Sequence, residues 1–163
     1  MTSDLLKIKK IRSKKKFTIS LAESCTGGMI SKYLTSINGS SLFFNGACIT
    51  YSNKMKIRLL GVPKSIIINY GAVSHQTALA MVKGLKIITD SEILLSVTGV
   101  AGPSGGTART PVGCVFFGIG LKINKKYKFK TTKKIFHEKT RHAIQKKSTE
   151  YAIYLILKEL KKI

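Results

Sequence analysis

The chain has 163 residues, 44% of them hydrophobic, with three cysteines and a formal net charge of +22. That length fits a single domain, residues 1–163, able to bury an ordinary core, and no apolar run approaches the roughly 18 residues of a membrane span. Cys25, Cys48 and Cys114 are odd in number and lie outside CxxC pairs, which points away from a disulfide framework and a zinc site.

In chain order, Ser3 or Asp4 is placed to cap a short helix carrying Leu5, Ile8 and Ile11, ending in Lys14-Lys15-Lys16. Met1 to Lys16 is rich in lysine but lacks the apolar core of a signal peptide, so a cytoplasmic location is expected. The run Phe17 to Ala22 reads as a strand. Met29, Ile30, Tyr33, Leu34 and Ile37 then share one face of a helix predicted to stop at Asn38-Gly39. Between the two lies Leu21-Ala-Glu-Ser-Cys-Thr-Gly-Gly28. A serine at such a turn projects from the end of a sheet, and Gly27 and Gly28 allow close backbone approach. The free N–H groups of the helix start, around Cys25, Thr26, Gly27 and Gly28, can receive an oxyanion or a phosphate. Serine and threonine are also ordinary N-caps, so this turn alone does not establish a nucleophile.

Phe43 to Ser52 reads as a second strand, with Asn53 capping a short helix that holds Met55 and Leu59 and closes at Gly61. Tyr51 and Lys56 therefore flank a second strand-to-helix junction. Ser74 is placed to cap a helix burying Ala78, Met81, Val82, Leu85 and Ile88, with His75 at its surface. Ser91 to Thr98 is a continuous apolar run, as in a central strand covered on both faces. It empties into Gly99-Val-Ala-Gly-Pro-Ser-Gly-Gly-Thr107, which lacks the lysine of a P-loop and the spacing of a dinucleotide fingerprint. Such a loop can turn its N–H groups around an anion or serve as a plain connector.

Val112 to Leu121 reads as another buried strand. Lys126 to Phe136 alternates aromatic and apolar residues with lysines, as in a half-exposed edge strand protected against edge pairing. A last helix, about Arg141 to Lys161, turns Ile144, Tyr151, Ala152 and Leu155 inward, and His137 and His142 have no partners at metal-ligand spacing. The pattern predicts an α/β protein: a three-layer α/β/α domain with a mixed, mostly parallel sheet and an antiparallel edge strand. The charge reads as diffuse. Arginine occurs only at positions 12, 58, 109 and 141, and lysines fall on nearly every predicted surface, which points away from a nucleic-acid partner.

Three segments together resemble the C-terminal domain family of competence/damage-inducible CinA proteins. They are Ala22-Glu-Ser-Cys-Thr-Gly-Gly28, Tyr51-Ser-Asn-x-x-Lys56 with Leu60-Gly-Val62, and Thr98-Gly-Val-Ala-Gly-Pro-x-Gly-Gly-Thr107 with Pro111-Val-Gly113. Gly71-Ala-Val-Ser74 adds a fourth match. The resemblance implies a stand-alone nicotinamide-nucleotide amidohydrolase, which converts nicotinamide mononucleotide to nicotinate mononucleotide and ammonia without metal or other cofactor. It assigns the nucleophile to Ser24, the base to Lys56 and a supporting role to Tyr51, and it implies a homo-oligomer. The substrate contacts expected are Cys25, Thr26, Gly27 and Gly28 on the first turn, and Thr98, Gly99, Gly102, Gly105, Gly106 and Thr107 on the glycine-rich loop. Three departures are visible: Ala108-Arg109-Thr110 replaces an acidic-acidic-Lys run, Phe136-His-Glu-Lys-Thr-Arg141 replaces Phe-x-Gly-Asp-Arg, and the first helix is short and lysine-loaded compared with the family's. The alternatives are a non-catalytic nucleotide-binding relic of the same fold and a basic nucleic-acid-binding protein.

Overall fold

A computed structural model describes residues 2–162; residues 1 and 163 of the expected domain lie outside the described residues. Five strands form one sheet: β1 (Ile19–Glu23), β2 (Phe44–Ile49), β3 (Ile93–Gly99), β4 (Cys114–Ile123) and β5 (Lys126–Ile135), in the order β2-β1-β3-β4-β5. β1 pairs in parallel with β2 and β3, and β4 runs antiparallel to both β3 and β5. The sheet is thus mixed, with β5 as its antiparallel edge. β4 is the one strand of the five that points the other way.

Among the described residues six α-helices flank the sheet: α1 (Thr2–Lys14), α2 (Met29–Leu34), α3 (Asn53–Leu60), α4 (Lys64–Tyr70), α5 (His75–Ile88) and α6 (Arg141–Leu160). On one face Leu5 and Ile8 of α1, Ile30 and Leu34 of α2, and Ile144, Ala152, Ile153 and Ile156 of α6 close over Leu21, Leu95, Val97 and Phe117. On the other, Leu60 and Val62 join Met81, Val82 and Leu85 of α5 over Ala22 and Leu94. Gly84 lets α5 meet the end of α3, because a Cβ there would lie 1.8 Å from the Leu60 carbonyl oxygen. The central β3 is buried from Ile93 to Thr98, as its unbroken apolar run predicts.

Several boundaries differ from the sequence reading, each for a local reason. α1 begins at Thr2, so Ser3 and Asp4 lie inside its first turn instead of capping it. α2 stops at Leu34, where Thr35 Oγ1 donates to the Ser31 and Lys32 carbonyls and Ser36 Oγ donates to Tyr33, side chains taking over the helix end. Ser52, not Asn53, caps α3, accepting from the Met55 N–H. Ser74 caps α5 as expected, whereas Ile88 is half exposed at its frayed end. α4 has no counterpart in the sequence reading. Its Ile66-Ile67-Ile68 run has no helical period, and Pro63 at its start offers no side-chain cap. Among the described residues, no helix is long and apolar enough to cross a membrane.

Candidate active site

Two parallel neighbours, β1 and β2, end at the same edge of the sheet, and each runs into a helix. This brings Ser24, just past β1, against Lys56 in α3. Lys56 Nζ lies 2.9 Å from Ser24 Oγ, 2.9 Å from the Thr50 carbonyl oxygen and 3.4 Å from that of Tyr51. Ser24 is 6% exposed and Lys56 2%. All three partners of the amine are uncharged. A neutral amine fits them fully: two N–H bonds go to the carbonyls, and the lone pair accepts the Ser24 hydroxyl proton. Burial holds the Lys56 pKa below its ordinary 10.5, with a smaller opposing effect from the Cys25 thiol. The pair has the geometry of a nucleophile and its base.

Cys25 beside it is a poor nucleophile. It is buried, and desolvation raises its pKa to about 12, outweighing a backbone hydrogen bond and the nearby basic side chains, so the thiol stays protonated.

The dyad opens into a cleft of about 290 Å³ whose lining includes Tyr51, Asn53, Val73, Gly99, Ser104 and Arg141. Of the residues expected on the glycine-rich loop, Thr98, Gly99, Gly102 and Gly105 line this cleft, and Gly106 and Thr107 do not. Thr98 Oγ1 donates to the Ala72 carbonyl, tying the end of β3 to the segment before α5, and Thr107 N–H donates to the Thr110 carbonyl within the loop's far end. Between them, the N–H groups of Ala101, Gly102, Ser104 and Gly105 meet no carbonyl among the described residues. Ala108, Arg109 and Thr110 also lie outside the cleft lining, so the altered segment does not border the dyad.

The first turn differs more from expectation. Of Cys25, Thr26, Gly27 and Gly28, only Cys25 lines the cleft; the other three border a separate hollow with Lys32 and Gln145. Their polar groups are engaged. Glu23 accepts from Thr26 Oγ1 at 2.7 Å and from the Gly28 N–H at 3.0 Å, and the Gly27 N–H donates to the Ser24 carbonyl. The helix start therefore receives the protein's own carboxylate where a ligand anion was expected. The Cys25 N–H, next to Ser24, donates to no carbonyl among the described residues, and Cys25 lines the cleft.

Tyr51 is also placed differently. It touches Lys56 through its main-chain carbonyl, while its 61%-exposed side chain points to the rim. There its hydroxyl accepts from Arg141 Nη2 at 2.6 Å, and Arg141 Nη1 donates to the Gly102 carbonyl at 2.9 Å. Arg141 is a cleft residue that the site reading did not include; its one signal was the loosely aligned Arg of the Phe136–Arg141 segment. The Thr50 carbonyl carries no side-chain signature that sequence could reveal, and Asn53, which the sequence placed in the Tyr51–Lys56 motif as a helix cap, lines the cleft instead.

With this geometry in view, the relatives are informative. The family model for the CinA C-terminal domain matches residues 4–160. A CinA-like protein of Leptospira biflexa is 46% identical over 146 residues, 90% of this chain and 34% of that protein. A CinA-like protein of Petrotoga mobilis is 46% identical over 145 residues, 89% of this chain and 35% of that one. The chain thus spans about a third of the length of these curated relatives. Among solved structures, the competence/damage-inducible protein CihA of Agrobacterium tumefaciens superposes with a TM-score of 0.89 at 32% identity, covering 98% of this chain and 94% of that one. A competence damage-inducible protein A of Klebsiella pneumoniae, at 24% identity and a TM-score of 0.88, shares the fold. Sequence, fold and match length agree, and the chain belongs to the CinA C-terminal domain family.

Proposed function

We propose that this chain is an amidohydrolase acting on nicotinamide mononucleotide by a Ser24–Lys56 mechanism. The observation that carries the reaction class is a buried amine 2.9 Å from a serine hydroxyl with only neutral partners around it. The substrate comes from the family resemblance, as does a homo-oligomeric assembly.

In this reading Ser24 Oγ attacks the carboxamide carbon as its proton passes to Lys56 Nζ. The Cys25 N–H faces the developing oxyanion. Collapse breaks the C–N bond, and Lys56 returns the proton to the leaving nitrogen, releasing ammonia. Water then attacks the Ser24 ester with Lys56 again as base; the proton returns to Ser24 Oγ and nicotinate mononucleotide departs. The unpartnered loop amides from Ala101 to Gly105 and the Arg141 guanidinium suit the nucleotide's phosphate, since they combine donors with the cleft's cation. The general positive field of the chain draws an anionic substrate toward them.

The test is release of ammonia and nicotinate mononucleotide from nicotinamide mononucleotide by the purified protein, beside Ser24→Ala and Lys56→Ala. Activity that disappears in both variants supports the reading. Turnover persisting in Ser24→Ala overturns the nucleophile. Thermal stabilisation by the nucleotide with no ammonia from wild type replaces the enzyme with a binding relic.

A further inference from the structure

A dense buried polar cluster lies at the end of β1, one residue before Ser24. Glu23, the last residue of β1, is 0% exposed. Its Oε2 accepts from Thr26 Oγ1 at 2.7 Å, Gly28 N–H at 3.0 Å and Ile30 N–H at 3.2 Å. Its Oε1 accepts from Ser31 N–H at 2.8 Å and Ser31 Oγ at 2.5 Å. A buried carboxylate persists only with such partners. The donors come from both sides of a bend that is otherwise held by the Gly27 N–H on the Ser24 carbonyl, the Met29 N–H on the Thr26 carbonyl and Gln145 Nε2 on the Cys25 carbonyl. Gly27 and Gly28 sit at φ of +61° and +94°, and Gly28, where a helix would ordinarily carry a capping side chain, has none. One side chain thus ties the end of β1, the turn of residues 24–28 and the start of α2 into one unit, with Ser24 as the residue it must place.

Resting on the nucleophilic reading of Ser24, we propose that Glu23 is a positioning residue for that nucleophile: its carboxylate locks the turn so that Ser24 Oγ meets Lys56 and the Cys25 N–H faces the cleft. Glu23 touches neither Lys56 nor any cleft-lining residue by hydrogen bond, so it acts through the backbone. Glutamine cannot replace it. In either orientation the amide NH2 would face an obligate backbone donor, the Ser31 N–H on one side or the Gly28 and Ile30 N–H groups on the other, and only the Ser31 or Thr26 hydroxyl can turn to accept from it.

The test uses a fluorophosphonate label on the full chain, together with turnover of nicotinamide mononucleotide. In the labelling step Ser24 Oγ bonds to phosphorus, its proton goes to Lys56 Nζ and fluoride leaves. In Glu23→Gln with a native circular-dichroism spectrum, labelling slows about tenfold or more, and kcat falls while KM stays within about twofold. The pH at which labelling sets in does not move, because Lys56 keeps its surroundings. A folded Glu23→Gln labelled at the wild-type rate overturns the proposal. If Glu23→Gln does not fold, Ser31→Ala, which removes one donor from Oε1, decides: slower labelling in a folded protein supports the role, and an unchanged rate overturns it. Wild type that never labels overturns Ser24 as nucleophile and Glu23 as its positioner together.

Discussion

Lys56 and Glu159 are both buried to 2% exposure, yet the protein treats them in opposite ways. Glu159, in the last turn of α6, faces two ammonium groups, bonding Lys130 through Oε1 and Lys162 through Oε2. Burial alone would raise its pKa, but these hydrogen bonds and charges outweigh burial and hold it below its ordinary 4.5. Lys56 is given two carbonyls and a hydroxyl and no carboxylate, so burial prevails and its proton is held less tightly. A buried charge with counterions is structural; a buried amine without one is poised to exchange a proton.

The sharpest way to break this contrast is Lys56→Met, which preserves bulk and removes the amine. Turnover is expected to fall on the order of 10³-fold or more, while the melting temperature holds or rises because the desolvated amine is gone. Wild-type stability should also rise with pH between the lowered Lys56 pKa and 10.5, since there the unfolded chain binds the extra proton. Lys56→Met loses that slope. A variant that keeps its activity, or loses it only by unfolding, removes Lys56 from the chemistry.

The same lowered pKa sets the pH profile of the wild type. In the proposed mechanism only neutral Lys56 accepts the Ser24 proton, so kcat/KM should drop about tenfold per pH unit below the Lys56 pKa and level off above it, at a pH under 10.5. A rate with no acid limb at any pH, or one that rises only beyond 10.5, contradicts a desolvated base.

Glu159→Gln probes the other side. It should cost about 1–3 kcal/mol of stability near neutral pH and leave kcat within about twofold. The sign follows from the depressed pKa: the carboxylate's contribution is present above 4.5 and is lost as acid protonates it in the folded state. The variant's acid unfolding curve should therefore be flatter than wild type's. An activity loss matching that of Lys56→Met would erase the distinction between the two groups.

Much of this arrangement was legible in the chain because it is written in local punctuation. The Gly27-Gly28 pair, Ser74, Gly61 and the Gly99–Thr107 loop fix turns and helix ends, and the order of strands and helices then brings Ser24 and Lys56 to one sheet edge. What escaped depends on where side chains go after folding. Glu23 sits inside a recognised motif, yet nothing in the sequence says that its carboxylate folds onto the helix start and takes amides expected to bind substrate. Arg141 is separated from Tyr51 by 90 positions, so their contact is a product of packing alone. α4 was hidden because three successive isoleucines look the same in a strand or a helix.

Tyr51 offers the finest test, because it serves the two sides of the cleft through different atoms. Its carbonyl is one of the neutral acceptors around Lys56, and no side-chain substitution removes it. Its hydroxyl holds Arg141 at the rim, in an exposed place where such a bond is worth little for stability. Tyr51→Phe should therefore leave kcat and its pH dependence within about threefold of wild type. The effect should fall on KM, which rises by up to about tenfold as Arg141 loses its tether near the bound nucleotide. A kcat loss approaching that of Lys56→Met would mean that the phenol swings inward to join the proton transfer. The neutral surroundings of Lys56 would then include a titratable hydroxyl, and the contrast with Glu159 would have to be drawn in the substrate complex instead of the free protein.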